Sequence, residues 1–174
     1  LSTGAILDIG RGEGRHTIHF AQNGFYAFGI DYIERAIEEA RQNAARQGIK
    51  NIRFVEMDVL KLYFPDSYFD IVLDWSVLDH IKPKDWSTYL FNIYSVLKSG
   101  GYLILTEFSA NDERVKNKYN GNNFFEDDDH YNHHFKMDEI EKLFGKDFEI
   151  IESNETILEA EPRYLMLNVL LKKK

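Results

Sequence analysis

The residues best suited to chemistry lie near the start of the chain, where three glycines alternate after a short apolar run. Asp8 is followed by Gly10, Gly12 and Gly14 in the stretch Leu7-Asp8-Ile9-Gly10-Arg11-Gly12-Glu13-Gly14. Glycines allow a sharp turn there and let a bound ligand touch the backbone, because a side chain would collide with it. Backbone amides near the start of a following helix favour a carboxylate. The stretch therefore predicts a loop that binds a small molecule.

Two well-known glycine-rich loops match this stretch poorly. Dinucleotide-binding enzymes use the spacing G-x-G-x-x-G, and here the third glycine position is occupied by Arg15. The phosphate-binding loop of nucleotide hydrolases requires a Gly-Lys-Ser/Thr sequence, and none follows Gly14. Without a pyrophosphate to hold, the loop is free to approach a methionine moiety, whose carboxylate suits the backbone amides.

The elements that must position this loop alternate along the chain. A strand is predicted at Ala5–Ile9, a helix from Gly14 to Asn23, and a second strand at Phe25–Ile30 that stops at Asp31. The next helix carries one apolar stripe, formed by Ile33, Ala36, Ile37, Ala40 and Ala44. Further strands are predicted at Ile52–Val55, Phe69–Leu73 and Tyr102–Thr106, with a helical stripe at Trp86, Leu90, Ile93 and Leu97.

Strands that alternate with helices predict a doubly wound α/β fold of the Rossmann-like type, with three layers and a mostly parallel sheet of seven strands. After a helix at Met137–Phe144, strands at Phe148–Ile157 and Tyr164–Leu171 are joined so closely that they must pair antiparallel. Ligands of such sheets bind beyond the carboxyl ends of the strands. We expect residues 1–174 to form one domain. The start at Leu1, without Met, leaves room for missing residues that would cover the site.

Composition excludes several classes of partner. A net charge of −8 argues against a nucleic-acid surface, which would carry clustered Lys and Arg. No apolar run approaches the ~18 residues of a membrane span. The chain has 44% hydrophobic residues, enough for a core, and no cysteine. The lack of cysteine is compatible with a reducing compartment, so we expect a cytoplasmic protein.

The segment Ser109–Asp129 interrupts the alternation of strands and helices. It is rich in Asn and Asp, shows no periodicity, and is longer than a connection in a compact domain needs to be. Two interpretations are open, a mobile lid over the site and a disordered connection. As a lid, it would use Phe124 and Phe125 to cover a bound ligand and exclude water.

The order of these motifs resembles the class I S-adenosylmethionine-dependent methyltransferases, and the resemblance extends over nearly the whole chain. Asp8, Gly10, Gly12 and Gly14 match the first motif of that family. Leu97-Lys98-Ser99-Gly100-Gly101-Tyr102-Leu103 is similar to its motif "L-K-x-G-G-x-L" before the fifth strand. The C-terminal antiparallel pair matches the last two strands of the family. The resemblance implies S-adenosylmethionine as cofactor and methyl transfer as the reaction.

The resemblance also implies roles for residues that follow the strands. Asp31 matches the acidic residue that holds the ribose hydroxyls, although a strand-end cap is the alternative. Asp58 and Val59 match the segment beside adenine, although Asp58 is also suited to starting a turn. Asp74 with Trp75 matches the position beside the methionine and sulfonium. For Trp75 a core position is the alternative.

Tyr32 has two equally open interpretations, stacking on adenine or covering the helix that follows it. Histidines beyond the motif are candidates for a general base, since their pKa lies near neutrality. These candidates are His80, His133 and His134. Their spacing, with His130, fits no standard metal site, so we expect no metal.

The leading hypothesis is methyl transfer to an O, N or S atom of a small-molecule acceptor, with catalysis resting mainly on positioning and the exclusion of water. Asp74-Trp75-Ser76-Val77 does not match the Asn/Asp-Pro-Pro-aromatic motif of enzymes that methylate base amino groups in DNA. A non-catalytic module that binds S-adenosylmethionine and regulates a partner is the alternative. An NAD-linked oxidoreductase is disfavoured by Arg15 and by the C-terminal strand pair.

Overall fold

The computed structural model describes residues 3–10, 12–118, 122–126, 130–159 and 163–174. The strands are β1 (Ala5–Ile9), β2 (Tyr26–Asp31), β3 (Ile52–Glu56), β4 (Phe69–Trp75), β5 (Leu97–Phe108), β6 (Phe124–Glu126), β7 (Tyr131–His133), β8 (Phe148–Leu158) and β9 (Tyr164–Lys173). The helices are α1 (Arg15–Gln22), α2 (Glu34–Arg46), α3 (Trp86–Val96), α4 (Glu113–Lys118) and α5 (Met137–Phe144). Short 3-10 turns lie at Val59–Lys61, Leu78–His80 and Pro83–Asp85.

Seven of the strands form one sheet in the order β3-β2-β1-β4-β5-β9-β8. The five strands from β3 to β5 are parallel, whereas β9 runs antiparallel to both β5 and β8. The predicted fold class is therefore confirmed, including the antiparallel C-terminal pair. The second sheet is a small hairpin of β6 and β7.

Both faces of the central sheet are buried. Successive residues of β1 point to opposite faces. Ile6 packs with the helix α1 and α2 residues Ile18 and Ile37, while Leu7 packs in a second cluster with Ile93 of α3. Each fully buried aliphatic side chain of this kind contributes about 1.5–3 kcal/mol. The continuous apolar run of β1 is thus the cause of the three-layer arrangement.

The order of the strands places the ligand crevice of doubly wound folds next to β1. The chain winds outward from β1 in both directions, to β2 and β3 on one side and to β4 and β5 on the other. Ile9, the last residue of β1, pairs with Ile30 of β2 and with Asp74 of β4. Residues after these three positions share one edge of the sheet. That edge is the topological switch point at which doubly wound sheets bind their ligands.

Two predicted elements differ from the structure. Leu97 was expected on a helical stripe, but it is the first residue of β5 and pairs with Phe69 of β4. Burial opposite β4 explains an apolar residue there as well as helical periodicity does. Ser99-Gly100-Gly101, expected only to end the helix, also falls within β5.

The segment Ser109–Asp129 contains more regular structure than its composition indicates. It includes α4 and β6, although residues 119–121 and 127–129 of the segment lie outside the described residues. The side chain of Asp112 accepts a hydrogen bond from the Arg114 amide at the start of α4, which favours the helix. Strand β6 depends on its partner β7, which lies beyond the predicted segment, so local periodicity does not reveal it.

Among the described residues, no helix has the length and apolar character needed to cross a membrane.

A substitution at Gly14 tests how closely the start of α1 packs against α2 and β3. It precedes α1 with φ of 84°, and a Cβ added there would lie 3.0 Å from both Ala40 and Phe54. Gly48 also has positive φ, 68°, but a Cβ there would meet no atom within 4 Å. We expect Gly48→Ala to lower the free energy of unfolding by the left-handed strain alone, about 1–2 kcal/mol.

Gly14→Ala should suffer the same strain and also crowd its neighbours. The crowding should lower the free energy of unfolding by about 1–3 kcal/mol more. Urea denaturation of both variants, with an unchanged dependence on denaturant, measures the difference. Equal decreases in the free energy of unfolding of Gly14→Ala and Gly48→Ala would contradict close packing at Gly14.

Candidate functional site

A cavity of about 510 Å³ opens at the edge of the sheet where β1, β2 and β3 end. Its size suits a small-molecule site, since such sites are about 300–1,000 Å³. The described residues that line it are Gly10, Ile30, Asp31, Tyr32, Ile33, Met57, Asp58, Val59, Leu60, Ser76, Val77, His80 and Ile81. They come from the ends of β1 and β2 and from the segments after β3 and β4.

The three glycines of the loop serve different purposes. Gly10 lines the cavity, has φ of 63°, and lies so close to Val77 that an added Cβ would fall 2.1 Å from its Cγ2. Gly12 has φ of 49°, and an added Cβ would meet nothing within 4 Å. Gly14 is buried against Ala40. Of the three, Gly10 lines the cavity and Gly12 has open space beside its backbone, whereas Gly14 is closely packed.

Asp31 occupies the position that the sequence predicts, at the end of β2 and on the cavity wall. Its Oδ1 accepts a hydrogen bond from the Ile33 amide and its Oδ2 accepts one from the Gly12 amide, both at 3.0 Å. A carboxylate has about four acceptor positions. One further hydrogen bond to each oxygen remains feasible, so Asp31 can tie the glycine loop in place and accept two hydroxyl protons together.

The other residues predicted beside adenine also line the cavity. Asp58 accepts a hydrogen bond from the Leu60 amide at 2.9 Å and so starts the 3-10 turn Val59–Lys61. Its turn-starting role and its place on the cavity wall are therefore compatible. Val59 lines the same wall, and Tyr32 lies on it with 75% of its surface exposed. An exposed ring at a cavity wall has area available for a planar ligand.

Two of the predicted acidic residues point into the protein interior rather than into the cavity. Asp8 is fully buried and accepts a hydrogen bond from Thr17 Oγ1 at 2.7 Å, which fixes the first turn of α1 against β1. Asp74 is also fully buried, with Oδ1 accepting from the Val77 amide and Oδ2 from the Tyr89 hydroxyl. Asp74 thereby fixes Val77 on the cavity wall, whereas Asp8 fixes the helix that follows the glycine loop.

Asp74 belongs to a cluster of buried acidic groups that also contains Asp79 and Glu107. Burial raises the pKa of Asp74 to about 6 and raises the pKa of Asp79 and of Glu107 well above the usual range. The pKa of Tyr89 is raised as well, first by burial and then by the charge of Asp74. Neither Asp79 nor Glu107 belongs to a motif that the sequence reveals.

The three candidate histidines lie in different surroundings. His80 lines the cavity, with Nδ1 at 3.1 Å from the Tyr131 carbonyl oxygen and Nε2 at 3.5 Å from Asp79 Oδ1. His133 is buried with Nε2 at 3.1 Å from Glu139 Oε1, and desolvation lowers its pKa. His134 is buried beside the ring of Phe108. Only His80 reaches the cavity described above.

Trp75 ends β4 and packs its ring against that of His16, with 4.7 Å between ring centroids. It is 36% exposed and does not line the 510 Å³ cavity. Trp75 is therefore neither a buried core residue nor part of the cavity wall.

Sequence reasoning missed the segment after Trp75, which forms much of one wall. Ser76 has φ of 59°, and its amide donates to the Thr106 carbonyl oxygen at 2.8 Å. Val77 packs on Gly10, and Ile81 extends the wall. Their position directly after a strand beside the switch point was the available signal, but apolar residues there carry no chemical motif.

Within the described part of the chain, no group of three or more His, Asp or Glu side chains is arranged to hold a metal ion.

The fold and the cavity define an α/β protein with an open cavity at the switch point of its sheet. Residues 2–148 match the model of a family described as "Methyltransferase domain", and the chain belongs to that family. S-adenosylmethionine is the cofactor of this class of domain, and one similar solved structure is an S-adenosylmethionine-dependent methyltransferase.

Solved structures support the fold over the whole chain. An S-adenosylmethionine-dependent methyltransferase of Methanosarcina mazei is 26% identical, with a TM-score of 0.88 over 99% of this chain and 93% of that one. The 1,6-didemethyltoxoflavin-N1-methyltransferase of Burkholderia thailandensis, solved with 1,6-didemethyltoxoflavin and S-adenosylhomocysteine, is 24% identical. Its TM-score is 0.83, over 99% of this chain and 72% of that chain.

Curated relatives match over a shorter stretch. The EEF1A lysine methyltransferase 2 of Danio rerio is 30% identical over 118 residues, 64% of this chain and 51% of the relative. A ubiquinone/menaquinone biosynthesis C-methyltransferase of Marinomonas is 33% identical over 108 residues, 60% of this chain and 42% of the relative. The chain thus spans about half the length of these relatives.

Proposed function

We propose that this protein transfers the methyl group of S-adenosylmethionine to an O, N or S atom of a small-molecule acceptor. The observation that carries the proposal is the cavity at the switch point, which brings Asp31 and the open face of the glycine loop together. When bound, the cofactor supplies a methyl group on a positively charged sulfur. We take residues 1–174 as one domain and place the reaction in the cytoplasm, consistent with a chain without cysteine.

The residues that would hold the cofactor divide into two groups. Those with direct access are Gly10, Gly12, Asp31, Tyr32, Asp58 and Val59. The second group supports these residues from the interior and consists of Asp8, Gly14 and Asp74. Trp75 is the last residue of β4 and packs against His16. This chain's contribution to the reaction is then to bind, orient and exclude water, which is where such a transfer gains most.

A small acceptor is favoured by two lines of support. The overall charge of −8 disfavours nucleic acid. Of the proteins similar to this chain, one is named as a C-methyltransferase of ubiquinone/menaquinone biosynthesis and another as the N1-methyltransferase of 1,6-didemethyltoxoflavin. His80, the one candidate histidine on the described cavity wall, is the best placed to receive a proton if the acceptor must lose one.

The test is incubation of the protein with methyl-labelled S-adenosylmethionine and a deproteinised metabolite extract, with a protein extract as a parallel arm. The proposal predicts release of S-adenosylhomocysteine and label in a small molecule. Label only in protein would overturn the small-molecule acceptor. Binding of S-adenosylhomocysteine without turnover in either arm would favour a non-catalytic regulatory module.

We also propose that the hairpin of β6 and β7 acts as the lid. Two contacts join it to the cavity side of the molecule: the Tyr131 carbonyl oxygen to His80, and Glu126 Oε1 to Lys82 Nζ at 2.6 Å. Phe124 and Phe125 of this hairpin are 42% and 38% exposed. Exposed aromatic side chains on a segment tied to the cavity wall are available to cover an acceptor.

A lid must gain protection from hydrogen exchange when the site fills. We expect the amides of 122–126 and 130–133 to exchange more slowly with S-adenosylhomocysteine and an acceptor analogue bound. The double variant Phe124→Ala with Phe125→Ala should lose turnover by about tenfold or more, from water exclusion worth ~1.4 kcal/mol. Phe91→Ala, another exposed aromatic, is the matched control. Unchanged exchange and intact turnover would leave the hairpin as a simple connection.

A further inference from the structure

We propose that Glu107 is a positioning residue for the cofactor cavity, and that it holds the wall of residues 76–81 through a proton shared with Asp74. The inference rests on the proposed cofactor site and concerns two carboxyls that do not touch the cavity themselves. It assigns a role to an interior acid of β5 that no sequence motif identifies.

The first step is the set of hydrogen bonds that fix this wall. Glu107 Oε2 accepts the Asp79 amide at 3.1 Å, and Asp74 Oδ1 accepts the Val77 amide at 2.9 Å. Val77 in turn packs on Gly10 of the glycine loop, where an added Cβ would come within 2.1 Å of it. Two interior carboxyls therefore set the path of the chain that meets the loop from the opposite side.

The second step is the contact between the carboxyls. The side chains of Asp74 and Glu107 are within hydrogen-bonding reach of each other, and both are fully buried. Glu107 Oε1 meets no donor among the described residues. Two ionised carboxylates cannot share a dry site without strong repulsion, whereas one proton between them makes one a donor to the other. The arrangement is thus stable with the proton present.

The charged and titratable groups around Asp74 and Glu107 supply no positive charge that would stabilise both carboxylates once the proton is lost. Tyr89 of α3 donates its hydroxyl to Asp74, and Asp79 adds a third carboxyl from the turn after β4. His80 faces Asp79 rather than the pair, with 3.5 Å between Nε2 and Oδ1. Among the described residues, no Lys or Arg contributes to the pKa values of the pair, so loss of the proton leaves a negative charge without a cation beside it.

The direction of the pH effect follows. Burial raises the pKa of Asp74 to about 6 and that of Glu107 well above its usual range. The pair keeps one shared proton until the pH passes the higher of the two pKa values, and it loses that proton above it. Repulsion between the ionised carboxylates of Asp74 and Glu107 then separates them. Val77 and Asp79 move as well, because their amides are hydrogen-bonded to these carboxylates. Cofactor affinity should therefore fall as the pH rises through the higher of these two pKa values.

The experiment is calorimetric titration of S-adenosylhomocysteine from pH 5.5 to 9.5 into wild-type protein, Glu107→Gln and Glu152→Gln. One linked proton changes affinity by up to about tenfold per pH unit. We expect the wild-type affinity to fall by about threefold or more over this range, and Glu152→Gln, at an exposed site on β8, to follow it. Glu107→Gln should keep the affinity seen at pH 6 and lose the pH dependence, because its amide donates to Asp74 without titrating.

Asp74→Asn, in which the new amide donates to Glu107, should flatten the profile in the same way and provides a second variant if Glu107→Gln does not fold. A wild-type profile as flat as those of the variants would overturn the shared proton. If both variants bind S-adenosylhomocysteine more weakly at every pH and keep the wild-type dependence of affinity on pH, the shared proton is also overturned. Glu107 would then have a purely structural role. Absence of S-adenosylhomocysteine binding at any pH would instead overturn the cofactor site itself.

Discussion

Asp31→Ala should weaken S-adenosylhomocysteine binding by about 1.5–3 kcal/mol, the range for hydrogen bonds to a charged group. This corresponds to a loss of about 10- to 150-fold in affinity. The carboxylate lies on the cavity wall with one hydrogen bond already accepted by each oxygen, so further acceptor positions are left for two hydroxyls. Calorimetry on the wild-type and variant proteins measures the change.

Asp31→Asn separates the two functions of this side chain. The amide keeps one acceptor oxygen, so it can preserve one of the contacts to the Gly12 and Ile33 amides, but it has no charge and only half the acceptor capacity. We expect an intermediate loss of affinity in a folded protein. If Asp31→Ala binds S-adenosylhomocysteine as tightly as the wild type while remaining folded, Asp31 does not belong to the site.

Gly12→Val should have a still larger effect and reduce binding below the level of Asp31→Ala. An added Cβ at Gly12 meets no protein atom within 4 Å, so the branched side chain would occupy the open space in front of the loop where the ligand is expected. The backbone φ of 49° is also unfavourable for a β-branched residue, at a cost of about 1–2 kcal/mol. Calorimetry and urea denaturation together separate lost binding from lost stability.

Gly48→Val is the matched control for strain, since Gly48 has φ of 68°, equally open surroundings and a position at the end of α2, away from the cavity lining. It should lose a similar amount of stability and retain S-adenosylhomocysteine binding. Normal binding by Gly12→Val would show that the loop is placed wrongly relative to the cofactor.

The parts of the fold that local sequence determines were predictable. Apart from Asp8, Ala5–Ile9 is apolar because both faces of this inner strand are buried, and Asp31 ends β2 as the pattern indicates. The antiparallel pairing of β8 and β9 followed from the short connection between them. Features that depend on distant partners were not predictable. Leu97 is apolar because it faces β4, and β6 exists because β7 pairs with it.

The same distinction applies to the site. Gly10, Asp31 and Asp58 were identified because their residue types at strand ends suggest chemistry, and the structure places all three on one cavity. Asp74 was expected beside the ligand, but its carboxyl points to Tyr89 in the interior. Glu107 was not found at all. Within a strand it looks like any polar residue, and only its burial beside Asp74 reveals the interior acid cluster.

The most direct test of the central claim is a crystal structure of the protein with S-adenosylhomocysteine. We expect density in the cavity between the ends of β1 and β2 and the segment 76–81, with both ribose hydroxyls on Asp31, the adenine beside Asp58 and Val59, and the amino-acid end at Gly10 and Gly12. The space facing the sulfur would then define the acceptor's size and charge. Density at another surface, or a ribose that does not contact Asp31, would contradict this account.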